Sequence, residues 1–232
     1  MKKPEKHRVQ KLLSNYGYCA RRKAEDLIEQ GRVKVNGQLV FLGESAMEKD
    51  LITVDDKPVE PQNKVYLLFH KPLGCVTAAS DDIFDTVLDY INIKERVFPV
   101  GRLDYNTSGL LILTNDGDFA NQVAHPRHET YKTYLARIKQ SITKEEVQQI
   151  EKGVRLRDGW TSPAKVKLRS RQFLEITIHE GRNRIVRRIL EHFRFKIISL
   201  QRIKIGKLSL GPLKPGKYRY LKEHELDKIF KQ

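Results

Sequence analysis

Acidic residues are the first shortage. The 232 residues include 29 Asp and Glu against 44 Lys and Arg, a formal charge of +15. Such an excess favours a polyanionic partner, nucleic acid first and an anionic membrane surface second. Cysteine is scarce too. Cys19 and Cys75 follow no CxxC spacing and are too few for a metal framework, so reduced thiols in a reducing compartment are expected, neither of them catalytic. No stretch approaches the ~20 apolar residues that span a bilayer. The opening Met1-Lys2-Lys3-Pro4-Glu5-Lys6 lacks the apolar region of an export signal. These absences predict a soluble, unexported, cytoplasmic chain without a membrane partner. Repeats, low-complexity tracts and a Gly-rich phosphate loop are missing as well.

The length exceeds the usual ~100 to 150 residues of one domain, so two are expected, 1–62 and 63–232. In the first, Val9, Leu12 and Leu13 recur at helical spacing, with Tyr16-Gly17 as a stop. A second helix fits 21–30, where Ala24, Leu27 and Ile28 make one face and Gly31 closes the end. The alternation in Arg32-Val33-Lys34-Val35 before Asn36-Gly37 predicts a hairpin. Arg8, Lys11, Arg21, Arg22, Lys23, Arg32 and Lys34 punctuate this scaffold and suit phosphate contacts better than base reading. The segments Val9 to Leu13, Cys19 to Glu25 and Gly31 to Gly37 resemble the S4-type RNA-binding domain. The resemblance covers about residues 6–60, and Glu60-Pro61-Gln62-Asn63 reads as a linker.

Beyond it, strands are predicted over 65–70, 109–114, 131–138, 164–168 and 173–179, and helices over 119–124, 144–152 and 184–193. Strands that follow one another without an intervening helix predict an α+β domain with a mixed, largely antiparallel sheet, not a doubly wound one.

Four segments bear candidate chemistry. Lys71-Pro72-Leu73-Gly74 follows an apolar strand and can turn the chain. Gly101-Arg102-Leu103-Asp104 begins a polar loop that leads into Leu110-Leu111-Ile112-Leu113. A carboxylate at a strand mouth in so basic a chain suits a nucleophile or base, although spacing alone favours a turn aspartate that satisfies backbone amides. In Lys132-Thr133-Tyr134, a period of two puts Lys132 and Tyr134 on one strand face. In the fourth, Glu180-Gly181-Arg182-Asn183-Arg184 leads into a helix whose apolar stripe leaves Arg184, Arg187 and Arg188 outside it. From Arg182 to Lys222, thirteen Lys and Arg face one acid, Glu191, which is +12 of the +15. Phosphate binding is the natural cause of that excess.

Together these segments, with Thr107-Ser108-Gly109-Leu110 and Thr114-Asn115-Asp116-Gly117, resemble the RsuA-like family of pseudouridine synthases. That family joins an S4-type domain to a catalytic domain. His125-Pro126-Arg127-His128-Glu129, Thr161-Ser162-Pro163-Ala164-Lys165 and His179 to Arg184 are similar to the RluB-like subgroup, which acts on large-subunit ribosomal RNA. The resemblance implies isomerisation of uridine to pseudouridine in 23S rRNA, naked or in an assembling subunit, by a monomer without metal or organic cofactor. It implies Asp104 as nucleophile, at C1′ of the sugar or C6 of the base, Arg187 as its charge partner and Tyr134 as the residue that stacks on uracil. RNA contacts are implied at Lys71, Arg102, Lys132, Arg182, Arg184 and Arg188, beside the basic residues of the first domain. Arg194 stands where relatives usually place glycine, so a left-handed helix cap there costs roughly 1 kcal/mol.

The alternatives are the same chemistry on 16S rRNA, a noncatalytic S4-domain protein for RNA binding or ribosome assembly, and a metal nuclease built on Asp104, Asp116 and Asp118. Asp116-Gly117-Asp118 fits a turn and helix cap better. His125 and His128 lack a third ligand for zinc. Trp160 suits either base stacking or a partly buried hairpin.

Overall fold

The computed structural model describes residues 6–231. The opening residues 1–5, where the sequence offers no apolar leader, lie outside that range. The chain divides into two compact units. The first takes residues up to Val65 together with Ile93–Phe98 and Thr114–Gly117, and the second holds the rest. The expected boundary at 62/63 thus gives way to a discontinuous one, because two later segments pack with the first unit.

In the first unit, helices α1 (Val9–Asn15) and α2 (Arg21–Glu29) fall where the apolar spacing puts them. Their buried faces, Val9, Leu12, Leu13, Ala24, Leu27 and Ile28, share one core with Val33, Ala46, Ile52 and Val54. Strands Val33–Val35 and Gln38–Leu39 pair antiparallel around Asn36 and Gly37, both at positive φ. That is the backbone an Asn-Gly hairpin turn requires. Ile52–Val54 and Lys57–Pro58 complete a four-stranded sheet.

The 60–65 segment carries no regular structure and is fastened by the later Thr114-Asn115-Asp116. The Thr114 hydroxyl donates to the Val65 carbonyl at 2.6 Å. Asn115 accepts from the Val65 amide and donates to the Asn63 carbonyl, both at 2.8 Å. Asp116, buried, pairs with Lys64 at 2.8 Å. This motif is therefore a clasp on the linker, and its aspartate is already engaged.

The second unit is built on a nine-stranded sheet, α+β and mixed as expected. Its main path runs Lys165–Ser170, Phe173–Ile178, Lys132–Ile138, Ile197–Ile205, Ser108–Thr114, Tyr66–Lys71, Tyr218–Tyr220. The first three junctions are antiparallel, and Ile197–Ile205 meets Ser108–Thr114 in parallel register. Helices α4 (Lys144–Lys152) and α5 (Ile185–His192) cover one core, centred on Ile138, Leu174, Ile176, Ile189 and Leu190. Helices α3 (Gly117–Ala124) and α6 (Glu223–Ile229) contribute Phe119, Val123 and Ile229 to a second core with Leu110 and Ile112. The elements of the last 40 residues, including α6 and the long strand Ile197–Ile205, have no counterpart in the sequence reading, where the charge of that segment masked its alternation.

Helix α5 ends as a Schellman cap. The amide of Phe195 donates to the Leu190 carbonyl, that of Arg194 to Glu191, and Arg194 sits at φ 59°. Arg194 thus adopts the left-handed conformation in place of glycine. Among the described residues, no helix is long and apolar enough to cross a membrane.

Candidate active site

A cavity of about 330 Å³ in the second unit is lined by Asp104, Thr107, Lys132, Tyr134, Arg187 and Arg202, among others. Seven sequence-predicted residues, Arg102, Asp104, Lys132, Tyr134, Arg182, Arg184 and Arg187, are thereby gathered at one place. Lys132 and Tyr134 project from the central strand Lys132–Ile138, Arg187 comes from the first turns of α5, and Asp104 from the loop before Ser108–Thr114.

That loop is clamped from three directions. Thr77 and Leu103 exchange hydrogen bonds, side-chain hydroxyl to carbonyl at 2.8 Å and amide to hydroxyl at 3.2 Å. From below, the Lys71 ammonium donates to the carbonyls of Pro72 (3.0 Å), Tyr105 (3.4 Å) and Thr107 (3.1 Å). From α5, Arg187 donates to the Asn106 carbonyl at 2.5 Å and to the Thr107 hydroxyl at 3.2 and 3.3 Å. Gly109, at φ +114°, closes the loop. A Cβ there would lie 2.2 Å from the Arg202 carbonyl oxygen, so only glycine lets the two parallel strands approach.

What the clamps leave alone is the carboxylate. Among the described residues no backbone amide donates to Asp104, in contrast to Asp81, which accepts from the amides of Ile83 and Phe84. The turn-aspartate reading that spacing favours describes Asp81 and fails for Asp104. The partner of Asp104 is Arg187, 3.9 Å from Nε to Oδ2, with the Asp104 side chain 30% exposed. Burial, with Arg184 nearby, lowers the pKa of the Arg187 guanidinium, and the Asp104 charge opposes that. The carboxylate is oriented, charge-balanced and open to the cavity.

The basic residues separate into engaged and available ones. Lys71 is fully buried with its three donors taken, so the expected RNA contact is corrected to a scaffold role. Burial pulls its pKa down, while Cys75 and Asp104 oppose this. Lys132 is corrected likewise: it lines the cavity instead of an outer phosphate track, and burial followed by the Arg202 charge lowers it to about 8. Arg32 and Lys34 are paired with Asp55 and Asp56, Arg182 with Glu180 and Asp158, Arg184 with Glu191, and Arg188 with Asp158. The exposed pairs among them are weak and can exchange for phosphate, Arg182–Glu180 is half-buried, and all of them trim the excess counted from sequence. Arg8, Arg21, Arg22 and Lys23 on the first unit and Arg102 at the cavity have no acidic partner among the described residues, and Lys11 lies 3.3 Å from His7. Trp160 is 68% exposed on a two-stranded hairpin, which removes the buried alternative.

Sequence reasoning gave no individual role to Thr77, Asn106, Thr107 or Arg202, although Thr107 lies in a matched segment. The only sequence signal for Arg202 was its place in the basic run from Arg182 to Lys222.

An open carboxylate beside a half-buried guanidinium and a tyrosine, in a cavity of a mixed-sheet unit that follows a small basic unit, defines an enzyme acting on a polyanion by covalent or general-base chemistry. Residues 65–192 match the RNA pseudouridylate synthase family and residues 7–40 the S4 domain. The chain belongs to the RNA pseudouridylate synthases, isomerases that turn uridine into pseudouridine in RNA. An uncharacterized RNA pseudouridine synthase of Aquifex aeolicus is 46% identical over 97% of this chain and 94% of its own length. Ribosomal large subunit pseudouridine synthase B of Bacillus subtilis is 45% identical over 96% and 95%. The dual-specificity RNA pseudouridine synthase RluF of Escherichia coli is 35% identical over 97% and 78%. A crystal structure of a pseudouridylate synthase superposes with a TM-score of 0.72 at 30% identity, covering 96% of this chain and 99% of that one.

Proposed function

We propose that this enzyme modifies a uridine of large-subunit ribosomal RNA in the cytoplasm, with Asp104 as its nucleophile. The observation that carries the nucleophile is the Asp104 carboxylate itself, free of amide donors, flanked by Arg187 at 3.9 Å and facing the cavity that Tyr134 also lines. The ribosomal substrate is supported by the 45% identity to the Bacillus subtilis enzyme along nearly the whole of both chains. The cytoplasmic setting is supported by two free cysteines.

A uridine stacked in a helix hides its ring, so the target enters the cavity extruded or already unpaired. Asp104 attacks as a carboxylate, at C1′ or at C6. The C1′–N1 bond breaks with its electron pair on the ring, the ring turns, C5 bonds to C1′, the bond from Asp104 to C1′ or C6 breaks and returns its electron pair to the carboxylate, the C5 proton leaves and N1 takes up a proton. Tyr134 stacks on the uracil and assists removal of the C5 proton. Arg187 holds the carboxylate and, through Asn106 and Thr107, the loop that carries it. Basic residues 8, 11 and 21–23 of the S4 domain supply phosphate contacts.

The test is a map of pseudouridines in total RNA from cells with and without the protein, with Asp104→Asn as complement. One large-subunit position is expected to be lost and restored only by the unaltered chain. Loss of a small-subunit position instead refutes the substrate, and restoration by Asp104→Asn refutes the nucleophile.

A further inference from the structure

Two cations withdrawn from solvent at the cavity have no carboxylate partner among the described residues. Arg202 is 2% exposed; its Nε donates to the Leu110 carbonyl at 2.7 Å, and its Nη2 is buried with no acceptor among the described residues. Lys132 donates to the Thr130 carbonyl at 3.1 Å, and no acid lies within salt-bridge distance of it among the described residues. Both line the cavity that holds Asp104 and Tyr134, and Arg202 stands directly across the strand pair from Tyr134. Of the other arginines around this cavity, 182, 184 and 187 each have an acid, and Arg102 is exposed to solvent.

Burying a cation without a counter-charge is costly, and burying two side by side more so. The strain is visible in Lys132, whose pKa falls to about 8 partly because of Arg202. A fold keeps such a pair where negative charge arrives later. Substrate phosphates are bulky and stay on the RNA backbone, a poor match for a guanidinium that is 2% exposed. The flat edge of an inserted base reaches deeper.

We infer that Lys132 and Arg202 form an anion-stabilising pair for the uracil ring, carrying the negative charge that the ring acquires during the isomerisation. This rests on the pseudouridine synthase reading and holds for either point of attack. When Asp104 bonds to C1′, the C1′–N1 electron pair goes to N1 and spreads onto O2 and O4. When it bonds to C6, the C5–C6 π pair moves to C5 and O4. In both cases a ring carbonyl oxygen turns anionic, and the charge returns to the Asp104 carboxylate when its bond to C1′ or C6 breaks; the loss of the C5 proton and the gain of one at N1 leave the ring neutral. The pair favours the charged ring over the neutral one and so acts on rate more than on RNA affinity.

The experiment measures single-turnover pseudouridine formation and RNA affinity for Lys132→Met, Lys132→Arg, Arg202→Met and Arg202→Lys, on ribosomal RNA from cells lacking the protein. Arg202→Lys keeps a charge at the site if Arg202→Met fails to fold. A rate loss of about 100-fold or more with affinity within about threefold is expected for the Met variants, with partial recovery in Lys132→Arg. The wild-type rate should fall as pH rises through about 8, where Lys132 loses its proton, and Lys132→Arg should move that limb upward. An unchanged rate in Lys132→Met, or in Arg202→Met where it folds, overturns the inference, as does a loss confined to affinity, which would make the pair a phosphate holder. An unmoved alkaline limb in Lys132→Arg also counts against it. If the wild type makes no pseudouridine in any RNA, the activity itself fails, an outcome distinct from these.

Discussion

Replacing Lys132 by Met should make the free protein more stable while disabling it. Lys132 is held at about 8 instead of the ordinary 10.5, chiefly by burial and secondarily by Arg202. At about 1.4 kcal/mol per tenfold, that displacement corresponds to roughly 3 kcal/mol by which the folded state disfavours the protonated amine at neutral pH. Methionine keeps most of the apolar stem, drops the charge and forfeits one hydrogen bond, to the Thr130 carbonyl, worth about 1 kcal/mol. A net stabilisation of about 2 kcal/mol at pH 7 follows. Its pH dependence has a definite sign. Below about 8 both states hold the proton and the penalty is fully present. Between about 8 and 10.5 the unfolded chain binds more protons than the folded one, so wild-type stability rises with pH and the advantage of Lys132→Met shrinks. Urea unfolding at pH 7 and pH 10 measures both quantities. A variant less stable than wild type at pH 7, by an amount independent of pH, would refute the reasoning by showing the ammonium to be solvated.

Lys71→Met should act oppositely, because it takes the ammonium donor from the carbonyls of Pro72, Tyr105 and Thr107, of which Tyr105 keeps the Gly74 amide and Pro72 the Cys75 thiol. A loss of about 2–4 kcal/mol in urea unfolding is expected, with activity reduced further as the Asp104 loop loosens; a wild-type melt would contradict the scaffold role. Arg194→Gly should stabilise by about 0.5–1 kcal/mol by relieving the left-handed cap at φ 59°, read as a shift of the urea midpoint without change of slope. Replacing Arg21, Arg22 and Lys23 together by Gln should weaken RNA binding and flatten the dependence of log affinity on log salt by about 2 to 3. The turnover of bound RNA should stay as it was, and an unaltered salt slope would remove these residues from the phosphate track.

The engaged and available charges bear on how such a basic chain is used. Much of the excess between Arg182 and Lys222 is spent inside the fold: Arg202 is buried, Arg219 clasps Glu225 in a two-pronged pair, and Arg182 and Arg188 share Asp158. A charge count therefore overstates the surface field of this unit. It remains informative for the S4 domain, where positions 21–23 are exposed at the start of α2.

The amino-acid sequence by itself determined what depends on near neighbours. The stripes of α1, α2 and α5 and the Asn36-Gly37 hairpin follow from side-chain periodicity and backbone preference over a few residues. The motif residues Asp104, Tyr134 and Arg187 were legible as well, through their likeness to a family. Tertiary structure alone decided which charges are buried, paired or open. Arg187 reaches the Asn106 carbonyl from 81 residues away along the chain. Lys71 disappears beneath the loop it holds, the 114–116 segment turns back on the linker, and Arg202 comes to rest across from Tyr134. The energy of a charge is set by its surroundings in space, and those surroundings come from strands and helices remote in sequence. A residue's type announces that it can carry charge; only the fold fixes what that charge meets.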